Sequence, residues 1–315
     1  MLGEIFGRGS GNGHARKLAM AAQSDMFKRV VLGLEPSAPG RTMRLAVELA
    51  ELLHVELLGL FLEDPSLRDL AAFPFAREFR LLGGGWHTIE PERLANDLEV
   101  AVRSAERLFV DAAKNLTTRY QFEVTRAAAA QAIASISRSG DIIVLAEPTA
   151  PLGRATQQFS SLLNAAFQSA AAVMFVPAHL AGVTGPVVAI GFEPDDPSIR
   201  VAAAIAIAAH ENLVIVHVHG REGDNPDIRR LADETGLTIK HAFTGRAPLS
   251  DPATFANTLH HVRERLVVAT QSVLAPELAL SIASSRCIPV LIIASNESVP
   301  IAPPPFSPEG VTRDR

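Results

Sequence analysis

Short apolar runs separated by amphipathic stretches set the rhythm of this chain. Arg29 to Leu34 is a β-branched run suited to a strand covered on both faces, and Glu56 to Leu62 is a second. Between them Pro39 opens a helix in which Met43, Ala46, Val47, Ala50 and Leu53 share one face, with Arg44, Glu48 and Glu51 on the other. An irregular segment follows that holds Phe73, Pro74, Phe75 and the run Gly83-Gly84-Gly85-Trp86, and it reads as an excursion over the surface. Pro91 restarts a helix with Leu94, Leu98, Ala101, Ala105, Leu108 and Ala112 in one stripe. The pattern then predicts a strand at Gln121 to Arg126, a helix at Ala129 to Arg138, a strand at Asp141 to Ala146, a helix over 157–169 and a strand at Ala172 to Val176. Strands alternating with helices require a parallel sheet with right-handed crossovers.

The pattern then returns. Val30-Val31-Leu32-Gly33-Leu34-Glu35-Pro36-Ser37-Ala38-Pro39 recurs without a gap as Val188-Ala189-Ile190-Gly191-Phe192-Glu193-Pro194-Asp195-Asp196-Pro197. One shift matches Gly33 to Gly191, Glu35 to Glu193, Pro36 to Pro194 and Pro39 to Pro197. The second copy predicts strands at Val187 to Gly191, Leu213 to Val218, Leu237 to Phe243, Arg265 to Ala269 and Pro289 to Ile293, with only a short helix around Asp227 to Thr235. The same shift carries Arg44, Glu48 and Glu51 onto Ala202, Ala206 and Ala209. The helix from Val201 to Ala209 is therefore apolar all round, which calls for contact with the other half or another subunit. Glu48, on the charged face of the first copy, reads as solvated.

Composition narrows the classes. With 48% hydrophobic and 20% charged residues the chain reads as a soluble globular protein. A net charge of −5 and the lack of any Lys/Arg run argue against a nucleic-acid partner. Cys287 is the single cysteine and sits in the apolar setting Cys287-Ile288-Pro289-Val290-Leu291, which suits a structural thiol in a reducing cytoplasm. The apolar stretch from Val201 to Val218 is broken by His210, Glu211 and Asn212, so no membrane span is expected. Residues 1–25 lack a hydrophobic period and read as a flexible arm, while 296–315 contain Pro300, Pro303, Pro304, Pro305 and Pro308 and read as a disordered tail.

Met26-Phe27-Lys28-Arg29-Val30-Val31-Leu32 resembles the opening of a universal stress protein domain, Asp141-Ile142-Ile143-Val144-Leu145 its fourth strand, and Cys287-Ile288-Pro289-Val290-Leu291-Ile292-Ile293 its closing strand. The likeness covers 26–178 and 185–295 as a tandem pair, the second copy compressed. It implies two tandem Rossmann-like α/β domains of the adenine-nucleotide alpha-hydrolase type. Each would be a five-stranded parallel sheet in the order 3-2-1-4-5 with helices on both faces, associating through the last strand. The two halves would then form an intramolecular pseudo-dimer, with a homodimer as the further possibility.

Members of that family that bind ATP carry G-x2-G-x9-G-[ST] after the fourth strand, where glycines let backbone amides approach the phosphates. Aligned on Leu162-Leu163, those glycine positions fall here on Pro151, Arg154 and Asn164, with Ala165 in place of the hydroxyl residue and Gly153 the loop's one glycine. The second copy's loop, Thr270 to Pro276, has none. ATP is therefore disfavoured and no cofactor is expected.

In an open α/β sheet a ligand sits beyond the carboxyl ends of strands 1 and 4. That placement makes Gly33, Glu35, Ser37, Glu147, Thr149, Gly153 and Arg154 the candidate ligand-binding residues of the first copy, and Glu193 and Asp195 those of the second. Glu35 and Glu147 could act as an acid/base pair, hold a metal, or simply orient the adjoining loops; as a pair they would repel a phosphate. His217 and His219 project to one face of a strand, but spacing specifies no third metal ligand, and structural histidines are the plainer reading. G-x-S-x-G, HExxH and cysteine clusters are missing from the sequence, so no catalytic or metal residue is assigned. The expected role is a non-enzymatic stress-response or signalling module. The alternatives are a small-ligand or adenine-nucleotide-binding protein with an atypical loop and, less favoured, a hydrolase of the related superfamily.

Overall fold

Strands with apolar side chains on both faces must lie between two layers of helix, and the first copy is built that way. A computed structural model of the chain describes residues 26–34, 40–80, 84–148, 157–169, 171–182, 184–192, 196–218, 226–243 and 258–294. The expected arm (1–25) and proline-rich tail (296–315) lie outside the described residues. The first copy runs β1 (Arg29–Leu34), α1 (Gly40–Leu53), β2 (Glu56–Glu63), α2 (Pro65–Ala72), β3 (Arg77–Arg80), β4 (Gly85–Thr88), α3 (Pro91–Ala113), β5 (Tyr120–Arg126), α4 (Ala129–Ile136), β6 (Asp141–Ala146), α5 (Gln157–Gln168) and β7 (Ala172–Val176). The second runs β8 (Val187–Gly191), α6 (Pro197–Ala209), β9 (Leu213–His217), α7 (Pro226–Thr235), β10 (Ile239–Phe243), β11 (Leu266–Thr270), α8 (Pro276–Arg286) and β12 (Val290–Ile293).

Ten of these strands form one continuous sheet in the order β10-β9-β8-β11-β12-β7-β6-β1-β2-β5. Two tandem domains, each a five-stranded parallel sheet with helices on both faces, were the expectation, and this single mixed sheet overturns it. The join is an antiparallel pairing of β12 with β7, Val290↔Phe175, Leu291↔Met174 and Ile292↔Val173, in a sheet otherwise parallel. The physical reason lies in the two closing strands. Every residue of β7 and β12 is buried, and an apolar strand left as an open edge would leave its amides and carbonyls unpaired. Pairing the two edges satisfies both rows and makes the sheet mixed.

Both layers of core run across this join. On one side Val30, Met43 and Ala46 belong to the same cluster as Val187, Ala202, Ala206 and Val268; on the other, Ile143 and Phe175 join Val267, Ile282 and Val290. The all-apolar helix α6 packs on α1, with Ala202, Ala203 and Ala206 wholly buried. Glu48, expected to be solvated, instead pairs with Arg265 of the other half, a side chain only 9% exposed that also has Glu211 at 4.0 Å.

Two local departures from the hydrophobic pattern have clear causes. The stripe on α3 follows Leu98 and Ala105 and then passes to Phe109 and Ala113, while Leu108 is 61% exposed. A straight helix drifts by about 20° per heptad, so a seven-residue spacing loses the core within two repeats. Phe109 settles over Gly59 of β2, where a Cβ would lie 2.7 Å from its ring. The surface excursion also holds structure of its own: Asp64 caps α2 by accepting from Ser66 N at 2.9 Å, Pro65 stands at its start, and β3 and β4 form a separate two-stranded ribbon.

Candidate functional site

The carboxyl ends of β1 and β6 lie side by side, since the strands pair Arg29↔Asp141 through Leu32↔Val144. Buried Asp141 anchors the opposite end of that pair, accepting from Arg29 Nε at 3.1 Å and Nη2 at 2.7 Å. At the carboxyl end stands Gly33, and no described atom lies within 4 Å of the point a Cβ there would occupy. Glu147 follows β6 directly, and its amide donates to Val176 O at 2.8 Å, which holds it beside the end of β7. Glu147 is 5% exposed, and its carboxylate accepts from Ala178 N at 3.0 Å and from Ser284 Oγ at 2.5 Å. Ser284 belongs to α8, so this carboxylate bridges the two halves.

Of the candidate residues, Gly33 and Glu147 are thus brought to neighbouring strand ends. Glu35, Ser37, Thr149, Gly153, Arg154, Glu193 and Asp195 lie outside the described residues, as does His219.

The equivalent corner of the second half is filled. A Cβ on Gly191 would meet Asp196 Cβ at 3.1 Å and Ile199 Cδ1 at 3.3 Å. Asp196 caps α6, its Oδ1 accepting from Ser198 N at 2.9 Å, and Ser198 Oγ sits 2.7 Å from that oxygen and 2.9 Å from Ile190 O. The repeat places Ala38, Gly40 and Arg41 of the first copy at the positions of Asp196, Ser198 and Ile199, so the first copy lacks the side chains that make this cap. Asp196-Pro197-Ser198 is a helix-start signature that sequence reading passed over. Beyond β11, Val273 N and Leu274 N both bond to Thr270 O, and this tight turn leads straight into α8.

His217 ends β9 and is buried, with Nε2 at 2.8 Å from Nδ1 of His241 on β10 and its ring nearly parallel to those of His241 and Phe243. The structure thus pairs His217 across strands. Among the described residues no group of three or more His, Cys, Asp or Glu side chains is placed to hold a metal. Hydrogen bonds to Glu264 raise the pKa of Arg286, burial opposing, and the same guanidinium bonds Leu259 O and Val262 O at 3.1 and 2.9 Å. This cluster ties the start of β11 to α8. No helix among the described residues is long and apolar enough to cross a membrane.

No known protein-family profile and no curated protein matches the chain. Among solved structures it is similar to a universal stress protein from Archaeoglobus fulgidus DSM 4304, with a TM-score of 0.56 and 12% identity over 84% of this chain and 96% of that one. A functionally unknown protein from Pseudomonas aeruginosa PAO1 matches at a TM-score of 0.47 and 16% identity over 87% of this chain and 94% of that one. The first of these likenesses, distant in sequence, is a likeness of fold to the universal stress proteins.

Proposed function

We propose that this chain is a non-enzymatic stress-response or signalling module of the universal-stress type, which does not use ATP. Glu147 carries the reading. It occupies the strand end where a phosphate would approach, yet its carboxylate is buried and engaged by Ala178 N and Ser284 Oγ. A carboxylate so placed disfavours an anionic ligand, and its oxygens already serve Ala178 N and Ser284 Oγ. The sequence of the adjoining loop supports the same view, because proline removes an amide donor and side chains at the other glycine positions obstruct close backbone approach. A small-ligand site is the second reading, favoured by the placement of Gly33 at the carboxyl end of β1 beside that of β6.

Calorimetric titration with ATP, ADP, AMP and cyclic nucleotides tests the proposal. No binding tighter than about millimolar is expected, equivalent to about 4 kcal/mol. Nucleotide released from the purified chain on denaturation would overturn it.

A further inference from the structure

The β3–β4 ribbon stands outside the main sheet and carries some of the most exposed rings in the molecule. Its strands pair Glu78↔His87 and Phe79↔Trp86, and cross-strand partners share a face. Glu78 binds Arg93 of α3, and Phe79 and Trp86 stand on the opposite face of the ribbon from that contact. Phe79 is 54% and Trp86 66% exposed, their rings in edge contact with centroids 5.5 Å apart. On the chain segment leading into the ribbon, Phe73 and Phe75 stack at 5.7 Å and are 52% and 78% exposed. At about 200 Å² per ring, the two ring pairs together leave roughly 500 Å² in water, a sum comparable with the largest patch on an ordinary monomer. A lone two-stranded ribbon is also marginal in water, so this element gains from being covered.

We propose that the aromatic face of the ribbon is covered by the same face of a second copy of this chain, forming a two-fold dimer. Area is the first argument: the rings, with half-exposed Leu67 and Leu70 of α2, approach the roughly 800 Å² per partner of a standard interface. Charge is the second. Arg68, Asp69, Arg77, Glu90 and Glu92 border the segment with both signs intermixed, which suits neither an anionic membrane nor a polyanion. A two-fold axis lets each sign meet its opposite. The face also occurs once per chain. The connection that holds it runs from Glu63 to Tyr120 between β2 and β5, whereas its counterpart between β9 and β10 runs only from His217 to Ile239, so assembly closes at two copies.

Trp86 is the sole tryptophan, and its fluorescence reports this face alone. The full chain should sediment as a dimer with blue-shifted emission that moves red on dilution in step with dissociation. Phe79→Glu should weaken the dimer about 30-fold or more, as loss of a hot-spot ring does, with far-UV circular dichroism unchanged. Phe75→Ser, at a still more exposed ring, gives a second reading if Phe79→Glu disturbs folding. Leu108→Glu, on α3, should leave association unaltered. A chain that stays monomeric at high micromolar concentration overturns the proposal, and so does a dimer indifferent to both ring variants. A monomer whose Trp86 emission moves only on adding vesicles of anionic lipid would assign the face to a membrane surface and overturn it too.

Discussion

Ala206→Glu probes the contact between the two halves at its most tightly packed point. Ala206 is 0% exposed and lies in one core cluster with Met43, Ala46, Leu49 and Ala50 of α1. A glutamate there must fit extra heavy atoms into filled space, which costs about 1–3 kcal/mol. Its carboxylate would also lack a partner, because Arg265 is already engaged by Glu48 and Glu211, and an uncompensated buried charge costs about 3–5 kcal/mol. The two terms give a loss of roughly 4–8 kcal/mol, comparable with the whole stability of many domains. The companion variant Glu48→Ala removes a carboxylate that is already 36% exposed and leaves Arg265 with Glu211, so it should cost only about 1 kcal/mol. Urea unfolding followed by circular dichroism measures both, with sedimentation to exclude aggregation. Losses of equal size, or less than about 2 kcal/mol for Ala206→Glu, would refute the argument that α6 is dry on the side facing α1.

Gly59→Ala should cost about 2 kcal/mol by pushing on Phe109, and Phe109→Leu in the same chain should recover part of it, a coupling that a double-mutant cycle reads directly. Glu147→Ala removes the acceptor for Ala178 N and Ser284 Oγ and should cost about 2 kcal/mol; in the double variant with Ser284→Ala the losses should fall short of additive. Arg286→Met should destabilise by the same amount at pH 6 and pH 9. The raised pKa of this base means that its contribution is fully present below the ordinary arginine value and fades only as pH climbs through the folded value, far above that window. A difference in the two denaturant midpoints that changes between those pH values would count against it.

The sequence pattern revealed buried strands more readily than their long-range pairing. Ala172 to Val176 was legible to the residue, because a short apolar run rich in valine and stopped by Pro177 announces itself locally. The join of β7 to β12 was not, since strand pairing between distant segments leaves no local signature and the resemblance offered only association through a last strand. Periodicity also misplaced the end of α3, where Leu108 and Phe109 are both apolar neighbours and the room that Gly59 leaves for the Phe109 ring has no local signature. Short elements escaped for want of length: β3 has too few residues to show alternation, although Asp64-Pro65-Ser66 marked the start of α2. At the candidate site, the position of Glu147 at a strand end was readable. Its commitment to Ser284 was not, because that hydrogen bond depends on how the halves meet.

Amide hydrogen exchange across Ala172–Val176 and Val290–Ile293 tests the central claim, that two related halves are built as one body around a single sheet. If β7 and β12 lie in its middle, both segments should exchange only through global unfolding, as slowly as β1 and β8 and far more slowly than the edge strands β5 and β10. Exchange in β7 and β12 as fast as in those edges would mean that the join opens by itself and that the halves fold as separate units.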